Sequence, residues 1–206
     1  KDAGRGIESS FSSIGTRLGE SFGISAIIAG LSVAVSRAMD LADEIRGASD
    51  AGGVGGEFLQ SGRLFANENG SNSEAFTKGI AKLNEKIGDV RRNVPEAVKL
   101  FKELGIEVYD AGGKAISTED VYGSFADKLK AIEDPAIRAS VAAEIFGEKL
   151  ASKLTPALMQ GSAALKEFTQ ENKFKILDER ELATLDAAKD KLKALKTSML
   201  TGSAKL

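Results

Sequence analysis

Apolar residues three and four positions apart recur along most of the chain, and glycine or proline repeatedly cuts the rhythm short. This restricts the fold more than any other feature. The spacing puts the apolar side chains on one helix face, and the interruptions forbid one long rod. Phe76, Ile80, Leu83, Ile87 and Val90 form the cleanest run of the first half. Ser71 and Glu74 have the spacing of a capping box before it. Pro95 suits a helix first turn and Gly105 a helix end. Thr118, Glu119 and Asp120 begin a helix with Val121, Phe125, Leu129 and Ile132 inward. Asp134 and Pro135 restart it, and Ile137, Val141 and Ile145 continue to a stop at Gly147. Leu150, Leu154 and Leu158 mark further turns around Pro156.

One stretch departs from helix. Ile106 and Val108 flank Glu107 in alternation, and Gly112 with Gly113 supplies a turn. The expectation is a small β-hairpin over residues 106–116, although two strands alone are only marginally stable. The expected class is mainly α, with short-to-medium amphipathic helices, this one hairpin and a longer final helix. Gly52, Gly53, Gly55 and Gly56 read as a flexible joint after a first helical segment. Three regions follow: a lead-in over 1–46 with an apolar segment, a compact helical core with the hairpin over 47–172, and an amphipathic, possible coiled-coil helix over 173–206.

Two apolar runs admit two readings each. Phe22 to Val35 is too short for a comfortable membrane span of ~20 residues and contains Ser25, Gly30 and Ser32. Its Ile24, Ile27, Ile28, Leu31 and Val35 suit either a close helix contact between small residues or contact with a membrane. Leu185, Ala188, Leu192, Leu195 and Met199 repeat at three and four beyond a second capping-box pattern, Asp178 with Glu181. The repeat is too short to fix a coiled coil. It reads either as a self-association seam or as an ordinary amphipathic helix on a local core. Asp186 with Lys189, and Asp190 with Lys193, are spaced to pair along the exposed face.

Composition narrows the chemistry. Of 206 residues 6% are aromatic, with no Trp, while Gly numbers 22. Little large apolar surface is available for burial, which favours narrow helix–helix seams over one thick core. Without His or Cys, a Ser-His-Asp triad, thiol catalysis and the usual zinc sites are excluded. Twenty-eight basic and 30 acidic residues leave a net charge of −2, with no basic footprint for nucleic acid. The glycines at 52–56 lack the Lys-Ser/Thr pair of a phosphate loop. Asp110 to Lys114 lacks the alternating oxygen ligands and closing Glu of a calcium loop. No carboxylate pair is marked out for glycoside hydrolysis. We therefore expect no enzymatic activity, cofactor, metal or specific nucleic acid. The chain opens on Lys1 and not Met, so it is expected to be a fragment, a processed product or the ordered part of something longer; no signal-peptide pattern is visible.

The second half resembles the core region of phage tail tape measure proteins. The resemblance runs through Leu104, Gly105 and Ile106, then Val108, Asp110 and the glycine turn, then Thr118, Glu119, Asp120 and Val121. It continues through Asp134, Ile145, Phe146 and Gly147, then Leu154, Pro156, Leu158, Gly161 and Leu165, with a polar helix-rich stretch from Asp178. The region from Ala38 to Phe101 is similar through Leu41, Ala42 and Asp43 and its glycine joint. The order of these elements carries the resemblance, which covers about half the chain specifically. It implies a helical chain that lies in the lumen of the tail tube, sets its length during assembly in the host cytoplasm, and is ejected with or before the DNA. A helix can act as a ruler because each residue advances it by ~1.5 Å. The implied partners are other copies, tail tube, tail tip or assembly chaperone proteins, and the host envelope at infection. The broken helix pattern between Gly47 and Gly161 suggests a folded module within the ruler. The alternative is a membrane-active helical effector segment inserting through residues 22–35.

Overall fold

The computed structural model describes the backbone of residues 31–202 and the side chains of residues 38–190. Among the described residues the chain is built from helices: α1 (Leu31–Gly52), α2 (Gly56–Glu68), α3 (Ser73–Arg91), α4 (Pro95–Leu104), α5 (Thr118–Ala131), α6 (Pro135–Phe146), α7 (Glu148–Leu158), α8 (Ser162–Glu171) and α9 (Glu179–Gly202). A 3-10 turn, Lys173–Lys175, precedes α9. The contacts divide the chain into two compact units. One is Gly47–Lys173; the other joins the N-terminal part through Arg46 to the C-terminal part from Phe174.

In the unit Gly47–Lys173 the hub is α3, which packs against α2, α4, α5, α6 and α7. Its periodic face does this: Phe76, Ile80, Leu83 and Ile87 are fully buried. Phe76, Phe58 and Tyr122 form a tilted and edge-on aromatic triangle with centroids 5.5 to 5.9 Å apart. Phe125 meets Phe146 edge-on at 5.4 Å, and Phe65 meets Phe168 at the same distance. Close approach depends on glycine. A Cβ on Gly62 would lie 2.0 Å from the Phe76 ring, and one on Gly79 would lie 2.6 Å from Leu154 Cδ1. Few large residues thus still make a dense core, because glycines let the backbones close on the aromatic rings.

Helix ends are fixed partly at a distance. Asp134 caps α6 through Ala136 N at 2.7 Å, with Pro135 in the first turn. Neither α2 nor α8 has a side-chain cap of its own. Helix α5 provides for both ends: Glu119 Oε1 accepts from Gly55 N at 2.8 Å, and Asp127 accepts from Ser162 N at 2.8 Å and Ser162 Oγ at 2.6 Å. A carboxylate at a helix N-terminus also suits the helix dipole. The cap of α3 is Asn72, accepting from Ala75 N at 2.7 Å, and not Ser71. Ser71 Oγ instead accepts from Ala157 N at 3.3 Å, next to the proline inside α7.

The glycine stretch is a turn of defined geometry. Helix α1 continues to Gly52, the first glycine of the stretch, and Gly53 then takes a left-handed conformation, φ 61°. Asn84 Nδ2 donates to Ala51 O at 3.2 Å, and Asn84 Oδ1 accepts from Thr118 Oγ1 at 3.1 Å. Side chains from α3 and the start of α5 thus hold the turn where a loose joint was expected.

The expected hairpin at 106–116 does not form. Among the described residues there is no strand, only a single antiparallel bridge between Tyr109 and Ala115. Backbone bonds from Asp110 N to Lys114 O at 2.8 Å and from Ile116 N to Val108 O at 3.0 Å flank that bridge, and Asp110 Oδ1 accepts from Gly112 N and Lys114 N, both at 2.9 Å, to organise the turn. On the return side Arg91 Nη2 donates to Ile116 O at 2.7 Å, and Ser117 already caps α5. The pairing therefore ends at Ile116, short of a second strand. Ile106 and Val108 alternate as expected and are buried, so this is a loop anchored by two apolar side chains.

Candidate interaction surface

In the unit that includes Arg46 and Asp186, α1 and α9 are joined by ion pairs between Asp43 and Lys189 and between Arg46 and Asp186. Three residues forward on α1 correspond to three residues back on α9, so the helices run antiparallel. Asp178 and Glu181 build the capping box that starts α9: Asp178 Oδ1 accepts from Glu181 N at 2.8 Å, and Asp178 N donates to Glu181 Oε2 at 3.0 Å. The apolar stripe of each helix is buried: Ala38, Met39, Ala42 and Ile45 on α1, Leu182 and Leu185 on α9.

The residues named for a self-association seam divide here. Leu185 is fully buried within the chain and Ala188 is half-buried. Leu192, Leu195 and Met199 fall on the α9 backbone, and their side chains lie outside the described residues. The membrane or close-contact set divides likewise. Ile24, Ile27 and Ile28 lie outside the described residues, and Leu31 and Val35 fall on α1 with side chains outside them. Among the described residues no helix is long and apolar enough to cross a membrane. Of the pairings expected within α9, Asp186 and Lys189 instead face Arg46 and Asp43, while the side chain of Lys193 lies outside the described residues.

In the unit Gly47–Lys173 the surface carries two apolar features that sequence reasoning missed. The first is the outer face of α6. Ile137 is 56% exposed, and Pro135, Ala136 and Ala139 beside it are also exposed. The expected inward line of Ile137, Val141 and Ile145 is buried only at its C-terminal end. Arg138, the cation of this face, is committed to capping α5: its Nε and Nη2 donate to Ile132 O at 3.0 and 2.6 Å. The second feature is Tyr109, 44% exposed at the loop that replaced the hairpin, with Arg91 5.9 Å over its ring. The feature that marks α6 in the sequence is its near-absence of charge, with only Arg138 and Glu144.

Burial pushes the Tyr122 phenol well above its ordinary value, so it is neutral packing surface at pH 7. Glu74 is exposed, and its hydrogen bond to Lys78 and that ammonium's charge hold its carboxyl below the usual range. Among the described residues no group of three or more metal-ligating side chains could hold an ion.

The family model for phage-related minor tail proteins matches residues 13–147, about two thirds of the chain. The chain belongs to that family. No curated protein and no solved structure matches it. As a minor tail protein it is a structural component of a phage tail, placed in the virion and in contact with other tail components. The match takes in α1 through α6, and so includes both the α3 hub and the exposed face of α6.

Proposed function

We propose that this minor tail protein is a segment of the tail length tape measure protein and acts without catalysis. The match over residues 13–147 supports the tail-protein part of the reading. The tape measure part rests on the ordered string from Leu104 to Leu165 and is supported by a chain made of helices among the described residues. In this reading the helical remainder of the protein lies in the tube lumen, fixes tube length during assembly and leaves with or before the DNA. Its partners are further copies, tube or tip proteins and an assembly chaperone. The compact unit supplies contact surface through α6 and the Tyr109 loop, and the late helix beyond Asp190 is the seam for self-association.

In-frame deletions in the rest of the same reading frame test this, with tail length measured by electron microscopy. Tails should shorten by about 1.5 Å for each helical residue removed. Tails of unchanged length across a series of such deletions would refute it. For the seam, Leu192→Asp should lower the self-associated mass in sedimentation, because a buried unpaired charge costs several kcal/mol. An unchanged mass removes the seam.

A further inference from the structure

A ruler converts residue count into distance only where the chain keeps advancing. The α1–α9 pair shows a place where it does not. Asp43 and Lys189 are 146 positions apart (189 minus 43), yet their side chains form an ion pair, and Arg46 with Asp186 repeats the contact one turn further in. Two contacts in antiparallel register fix direction as well as proximity: the chain that passes Asp43 in one sense passes Lys189 in the other. Whatever lies between them therefore adds nothing to the distance travelled along the axis of this helix pair. Buried Ala42, Ile45, Leu182 and Leu185 lie on the same two stretches, so the pairing rests on apolar burial as well as charge. The capping box of Asp178 and Glu181 starts the returning helix at a defined residue.

We infer that the stretch between Asp43 and Lys189 is excluded from the length that the tape measure counts. The chain doubles back through an intrachain antiparallel pair, and the 127 residues of Gly47–Lys173 (173 minus 47, plus 1) serve as a contact module. This rests on the tape measure reading above. A fully extended helical ruler would separate Asp43 from Lys189 by about 220 Å at 1.5 Å per residue. The antiparallel pair holds them side by side.

The direct test uses the full-length protein in purified tails. Asp43→Cys and Lys189→Cys are introduced together, into a stretch that has no Cys of its own, and treated with a short bismaleimide. The expected product is an internally looped monomer of altered gel mobility that neither single variant gives. Absence of the product, or a product of dimer mass, overturns the inference, because the partner of Asp43 would then be absent or on another copy. A second test compares two deletions of equal size, one removing Gly47–Lys173 and one removing helical sequence elsewhere in the frame. The control should shorten tails by about 190 Å at 1.5 Å per residue, while removal of the module leaves tail length unchanged. Equal shortening by both overturns the inference and leaves the tape measure reading standing. Shortening by neither defeats that reading and the inference with it. If the module deletion yields no tails, cross-linking of the full-length protein decides.

Discussion

The unit Gly47–Lys173 and the α1–α9 pair face the same shortage of large apolar residues and meet it differently. The first concentrates its aromatics at the α2–α3–α5 junction and removes side chains opposite them, as where Gly62 faces Phe76. Its arrangement is specified by shape. The second buries small and aliphatic residues, Ala38, Met39, Ala42, Ile45, Leu182 and Leu185, which would fit in more than one alignment. Its alignment is specified by charge, through Asp43 with Lys189 and Arg46 with Asp186. A shape-specified core should respond strongly to single substitutions, and a charge-registered pair should respond weakly in stability but clearly in alignment.

The largest effect should come from Phe76→Ala. It empties a fully buried site in the aromatic triangle and should cost about 3–5 kcal/mol in denaturant unfolding. A loss below that of an average surface substitution would break the comparison. Next, Gly62→Ala drives a methyl into the Phe76 ring and should cost about 1–3 kcal/mol. Combining it with Phe76→Leu should cost less than the sum of the two single changes. Asp127→Ala strips the start of α8 of its cap and should cost about 1 kcal/mol, with Asp127→Asn milder. In the helix pair, Arg46→Asp should cost no more than ~1 kcal/mol, because the ion pair is partly exposed. Adding Asp186→Arg should restore it, and failure of that rescue would remove charge as the source of register. Smallest is the pH effect at Glu74. Its carboxyl is lowered in the folded chain, so its contribution is present at neutral pH and fades as pH falls through the carboxylate range. Glu74→Gln should flatten that part of the acid-unfolding profile slightly.

Much of this architecture was legible before any coordinates. The rhythm of Phe76, Ile80, Leu83 and Ile87 became the buried hub, and Asp134 with Pro135, Gly105, and Asp178 with Glu181 marked real helix ends. These signals are local, with cause and consequence within a turn of one another. What escaped was non-local. The cap of α8 is Asp127, 35 residues away, and no spacing rule announces it. The partner of Lys189 is Asp43 and not a neighbour on its own helix. The hairpin stops at a single bridge because Arg91 takes the Ile116 carbonyl and Ser117 opens α5, which cannot be read from the alternation of Ile106 and Val108 alone. On α6 periodicity promised an inward line, but the helix crosses the surface and leaves Ile137 outside.

The central claim is that this chain is a structural component of a phage tail. A stop codon at Glu57, in the phage that encodes the chain, tests it most directly, with particles imaged by electron microscopy. The account predicts filled heads without tails, or with tails of irregular length, and recovery when the intact gene is supplied in trans. Normal tails of native length from the stop-codon phage would contradict it.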